Sequence, residues 1–148
     1  MDPMTALGLA SNIVQFVDFS TKLVNAAIDI HHSVSGATKD NQSLEDIVRE
    51  MEMLSVRLDP PTTCPQTDDE RALCRLSADC RTLSRQILAL LEKIKPKDPN
   101  SKRQSAWAAV KAKWNEKEKK ELQQRLEGCR SQLELQLSFL TRFQPPQF

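Results

Sequence analysis

Tyrosine is absent from this 148-residue chain, and glycine occurs only three times, at Gly8, Gly36 and Gly128. Sheets draw on aromatic and β-branched residues and their turns on glycine, so this composition argues against a sheet protein and for helices. None of the three glycines lies near another, which excludes the glycine-rich loops that cradle nucleotide phosphates. Histidine is almost as scarce: His31 and His32 are sequential, point about 100° apart on a helix and cannot chelate one metal together. With no third histidine and no GxSxG elbow, a Ser or Cys nucleophile has no base to activate it. No enzymatic activity, cofactor, metal or small-molecule substrate is therefore expected.

The cysteines Cys64, Cys74, Cys80 and Cys129 show neither the CxxC spacing of a zinc site nor the density of a secreted disulfide scaffold. Reduced thiols in a cytoplasmic protein are the simplest expectation. No base precedes Lys22, so the basic region of a secretory signal and the arginines of a mitochondrial presequence are both missing.

The opening segment is rich in apolar residues. Laid on a helix from Met4 to His32, the side chains of Ser11, Gln15, Asp18, Lys22, Asn25 and Asp29 fall in one narrow polar seam. One flank carries Leu7, Ala10, Ile13, Val14, Val17, Val24 and Ile28; the other carries Leu9, Phe16, Phe19, Leu23, Ala27 and Ile30. No single neighbouring surface buries both, which places such a helix inside a bundle or in lipid. The uncharged stretch covers only residues 3–17 before Asp18 interrupts it, short of the about twenty residues that span a bilayer.

Further helices follow from spacing. Leu44, Ile47, Met51, Leu54 and Leu58 recur at helical steps after Asn41 or Gln42, and Pro60-Pro61 ends that run. Thr67 and Glu70 have capping-box spacing, opening a helix whose stripe Leu73, Leu76, Cys80, Leu83, Ile87, Leu90 and Ile94 runs unbroken to Pro96. Ser101 with Gln104 opens a short helix carrying Trp107, Val110 and Trp114. Asn115 then caps a last helix, from about Glu116 to Phe143, with Leu122, Leu126, Cys129, Leu133, Leu137 and Leu140 inward. The expected fold is all-α, an antiparallel four-helix bundle plus one short helix, with the N-terminal helix central. Residues 1–143 form the bundle and residues 144–148, with Pro145-Pro146, begin a linker.

Charge is unevenly spread. Residues 1–58 hold eight acids against four bases, whereas residues 95–125 hold ten bases against four acids. Within the basic stretch, Lys111, Lys113, Lys117 and Lys120 offer a face for anionic lipid or an acidic protein. Glu116, Glu118 and Glu121 lie at pairing distance along the same helix, so a solvated face is favoured over nucleic-acid binding. Trp107 and Trp114, seven apart, share one side of a helix and are expected to pack on the bundle rather than stack on bases.

The segments DPMTALGLASNIVQFVDFSTKLV, HHSVSGAT, LEDIVREMEMLSVRL, LCRLSADCRTLSRQILALLEKIK, SAWAAVKAKW and ELQQRLEGCRSQLELQLSFL closely resemble the N-terminal domain of fungal NOD-like receptors. These are STAND proteins with a NACHT or related nucleotide-binding module and C-terminal repeats. That domain is similar to the fungal HeLo and HeLo-like domains, and more distantly to the bundle of the mixed-lineage kinase domain-like protein and to plant coiled-coil immune-receptor domains. The resemblance implies an innate-immunity or programmed-cell-death effector, held inactive until receptor oligomerisation, whose N-terminal helix then engages the plasma membrane. It further implies that the chain is a fragment, with the receptor's own nucleotide-binding domain or like domains as partners.

The carry-over is confined to the hydrophobic segment: Met4, Leu7, Leu9, Ile13, Val14, Phe16, Val17, Phe19 and Leu23. Asp18 and Lys22 count against spanning by one copy, since a charge at bilayer centre costs about 2.5–3.5 kcal/mol. Several copies turning Ser11, Gln15, Asp18 and Lys22 toward one another would remove that cost. The competing expectation is an adaptor that recruits a partner through charged helix faces and never touches membrane.

Overall fold

The computed structural model describes residues 3–28, 43–60, 67–94 and 113–142, and these form four helices. Helix α1 spans Pro3–Ile28, α2 Leu44–Arg57, α3 Asp68–Lys93 and α4 Glu116–Arg142. Of the short helix expected around residues 101–114 only Lys113 and Trp114 fall among the described residues; the linker at 144–148 lies outside them, as do His31, His32, Cys64, Trp107 and Lys111.

Each boundary has a local cause. Pro3 opens α1, where its missing N–H would have had no helical partner. The Ser43 hydroxyl accepts from the Asp46 N–H at 3.1 Å, and α2 starts at Leu44, two or three residues after the expected start at Asn41 or Gln42. The short hydroxyl folds back onto an amide of the first turn that has no helical partner. Thr67 caps α3 by accepting from the Glu70 N–H at 3.1 Å. Asn115 caps α4, its Oδ1 accepting from the Glu118 N–H at 2.7 Å.

Contacts at several levels fix the directions. Asn12 on α1 donates to the Arg57 carbonyl at the far end of α2 at 3.1 Å, while Ser20 lies against Met51 nearer its middle. Ser77 donates to the Leu58 carbonyl at 2.5 Å, and Ser84 meets Ser55 at 2.7 Å. Trp114 Nε1 donates to the Leu90 carbonyl at 3.4 Å, just before α4, and Arg125 reaches back to Gln86. Arg130 of α4 meets Asp18 of α1 at 3.3 Å. From α1 to α2, α2 to α3 and α3 to α4, rising numbers on one helix match falling numbers on the next, so successive helices are antiparallel, α4 runs opposite to α1, and α1 and α3 lie parallel. Helix α1 packs on all three others, and so does α3; α2 and α4 sit on opposite sides of that central pair.

A single apolar core joins them, drawing Ile13, Phe16 and Leu23 from α1, Ile47 and Met51 from α2, Leu83, Ile87 and Leu91 from α3, and Leu126 from α4. The stripe expected along α3 is buried except Leu90, which is half-buried because the fully buried Leu91 takes its place inward in the last turn. Two polar side chains enter the α4 face: Lys119, only 3% exposed, and Gln136. The lysine runs its aliphatic stem along the core and carries its ammonium out to Glu116 at 3.2 Å.

Glycines 8 and 128 sit inside exposed turns of α1 and α4, where an added Cβ would meet nothing within 4 Å. Replacing either by alanine should therefore raise stability by about 0.5–1 kcal/mol, read as a higher urea midpoint at unchanged slope. Phe16→Ala should cost about 3–5 kcal/mol in the same assay through the cavity it leaves, whereas Val14→Ala on the outer face should stay within about 0.5 kcal/mol.

Candidate functional site

Helix α1 carries two lines of side chains, each advancing by steps of three and four. The inner line is Ala6, Leu9, Ile13, Phe16, Ser20, Leu23 and Ala27, all buried, with Ala10, Val17 and Val24 buried along its α4 side. This is the width a helix needs when three neighbours converge on it. The outer line is Met4, Leu7, Ser11, Val14 and Asp18, all exposed. Met4 is 77% exposed and Leu7 53%, so the first three turns present an apolar outer stripe with one serine in it.

The polar seam expected along α1 is thus solvent-facing from Ser11 through Gln15, Asp18, Lys22 and Asn25, but Met4 and Leu7 occupy its line in the first two turns. The expectation that both apolar flanks are covered fails at Leu7 and Val14. Helices α2 and α4 approach α1 from its inner side, and neither reaches the strip between the seam and these two residues.

The seam is tied sideways to both neighbours. The Arg57 guanidinium of α2 donates to Gln15 Oε1 at 3.2 Å, and Asn12 donates to the Arg57 carbonyl. Asp18 pairs with Arg130 of α4, not with Lys22 one turn on, because the antiparallel register brings Arg130 alongside. These are exposed contacts, worth at most about 1 kcal/mol each. They align α1 but do not hold it; its inner line does that.

The residues carried over as membrane-targeting therefore divide. Met4, Leu7 and Val14 are on the surface, Phe19 is half-buried, and Leu9, Ile13, Phe16, Val17 and Leu23 are core. Of the basic set, Lys113, Lys117 and Lys120 are exposed.

Two shallow clefts flank α4. One, of about 250 Å³, lies between α3 and α4 and is lined by Gln86, Leu90, Glu118, Glu121 and Arg125. The other, of about 130 Å³, lies between α1 and α4 beside Thr21, Asn25, Gln123 and Arg130. Neither contains a nucleophile beside a base. Among the described residues no three His, Cys, Asp or Glu side chains group closely enough to hold a metal ion.

The described cysteines are free thiols. Cys80 on α3 and Cys129 on α4 act on each other across the interface: the neighbouring Cys129 sulfur, with burial added, pushes the Cys80 thiol above the ordinary range. The neighbouring Cys80 thiol holds Cys129 below that range, with Arg125 adding to the effect against burial and Asp79. Cys74 is raised by its own burial and then by Glu70. The pairing was open to inference, because both cysteines fall on inner stripes of neighbouring helices, but the stripes alone do not fix their level.

No family model, curated protein or solved structure matches this chain.

Proposed function

We propose that this chain is a non-enzymatic effector domain of the kind found at the N-terminus of fungal NOD-like receptors, acting on membrane when receptor oligomerisation clusters it. The observation that carries the reading is the division of α1 into an exposed apolar start and a larger concealed apolar face on the same rod. Met4, Leu7 and Val14 offer first contact with a lipid surface. Leu9, Ile13, Phe16, Val17, Leu23 and Val24 are the reserve that membrane would take up afterwards.

Magnitudes decide the order of events. A fully buried large apolar side chain is worth about 1.5–3 kcal/mol, so uncovering this reserve in water would cost roughly 10–20 kcal/mol. That matches or exceeds the whole stability of a typical domain, about 5–15 kcal/mol, so α1 stays in place in the isolated bundle. Release requires that lipid re-cover the same side chains and that neighbouring copies add their contacts. Autoinhibition is then a consequence of packing and needs no separate inhibitor.

Among the described residues no helix is long and apolar enough to cross a membrane. The proposed mode is accordingly interfacial: the outer apolar stripe touches the headgroups first, and α1 then rolls in the headgroup plane so that its inner line faces the acyl chains and Ser11, Gln15, Asp18, Lys22 and Asn25 face water. Exposed Lys113, Lys117 and Lys120 add attraction to an anionic surface, each contributing about 1 kcal/mol at close range.

Fusing the domain to a trimerising coiled coil and adding it to phosphatidylserine-containing vesicles loaded with dye tests this. The clustered protein should release dye, the unfused domain should not, and Leu7→Glu with Val14→Glu should reduce release about tenfold or more while leaving the bundle folded. No release from the clustered protein, or equal release from the double variant, would sink the membrane role. Partner capture that survives without vesicle binding and is lost on charge reversal at Lys113, Lys117 and Lys120 would establish the adaptor instead.

A further inference from the structure

Two nucleophilic side chains outside the α1 surface face each other where α3 meets α4. Cys80 is fully buried and Cys129 half-buried, and the register set independently by Arg125 and Gln86 puts them within about 3 Å of one level along the interface. Moving from Gln86 back to Cys80 and from Arg125 on to Cys129 covers similar rises, about 9 Å and 6 Å, in the directions an antiparallel pair requires. Cys80 belongs to the apolar core and Cys129 packs against that same core from α4. Cys74 on α3 has no such counterpart facing it among the described cysteines.

We propose that Cys80 and Cys129 form a reversible intramolecular disulfide that staples α3 to α4 when a hydroperoxide is present. The two roles are set by surroundings. Cys129 is the more exposed sulfur, and the adjoining Cys80 thiol and the Arg125 guanidinium favour its thiolate, which is the reactive form. It attacks the peroxide oxygen; the O–O bond breaks, water leaves after taking a proton, and Cys129 becomes a sulfenic acid. The Cys80 sulfur then attacks the Cys129 sulfur, the S–O bond breaks, and the departing hydroxide takes the Cys80 proton as a second water. With hydrogen peroxide as the hydroperoxide, one peroxide is reduced to two waters, and the two thiols lose two electrons between them. Because Cys80 is sheltered and adjacent, closure outpaces further oxidation of Cys129.

The staple ties together α3 and α4 without touching α1, so it is independent of the membrane role proposed above and stands or falls separately. Treating the whole chain with hydrogen peroxide, blocking residual thiols by alkylation and digesting without reductant should yield tryptic peptides 76–81 and 126–130 joined through Cys80 and Cys129. Dithiothreitol should separate them. Cys129→Ser should abolish the link and leave Cys80 unoxidised, while Cys80→Ala should leave a sulfenic acid at Cys129 that dimedone captures. Oxidation should raise the melting temperature of the unaltered protein and of neither variant, through the loop it closes in the unfolded chain. Linkage of Cys129 to Cys64, Cys74 or a second chain, sulfinic acid at Cys129 without a link, or both thiols intact after peroxide would each overturn the proposal. Should Cys80→Ala not fold, the half-buried Cys129→Ser carries the test alone.

Discussion

Three helices converge on the inner line of α1, and the side chains Ile13, Phe16 and Leu23 are excluded from water because of that convergence. Remove α1 and the inward faces of α2, α3 and α4 would lose a common partner, since α2 and α4 lie too far apart to close the gap. The polar contacts around its rim follow from this arrangement. Asp18 meets Arg130, and Gln15 meets Arg57, because the apolar face has already set the rotation of the rod. Exposed pairs of that kind contribute too little to choose the rotation themselves.

The α2–α3 interface is built differently. Ser55, Ser77 and Ser84 are buried there, and each has a partner: Ser55 and Ser84 share one hydrogen bond, and Ser77 donates to the Leu58 carbonyl. Small side chains let the two helices approach, and internal partners remove the penalty that a buried hydroxyl would otherwise carry. Outside, Arg81 and Asp59 close the same corner at the surface. The helix ends are likewise satisfied by side chains, at Ser43, Thr67 and Asn115.

Much of this was legible in the sequence because the governing signals are local. Thr67 with Glu70, Asn115 before Glu116 and the leucine steps of α2, α3 and α4 each depend on a few neighbouring residues and on helical period. What was not legible depends on which helix stands beside which. Whether Leu7 and Val14 are covered is decided by where α2 and α4 stop around α1, and no spacing within α1 encodes that. Arg130 as the partner of Asp18, and Gln86 as that of Arg125, require the antiparallel register. The burial of Lys119 reads as solvated charge in sequence because its type outweighs its position; its place three residues before Leu122, on the inner stripe, was the available signal. The candidate site divides in the same way: its residues were visible as one greasy segment, and only packing separates those on the surface from those in the core.

Helix α3 gives the molecule a second hub, and this bears on what the fold can survive. Its contacts with α2 run through Ser77, Ser84 and Arg81, and its contacts with α4 run through Leu90, Gln86 and Cys80; none of these involves α1. A departure of α1 would therefore expose one side of α3 without cutting its ties to the other two helices. The surface left behind would carry the apolar residues that had faced Phe16 and Leu23.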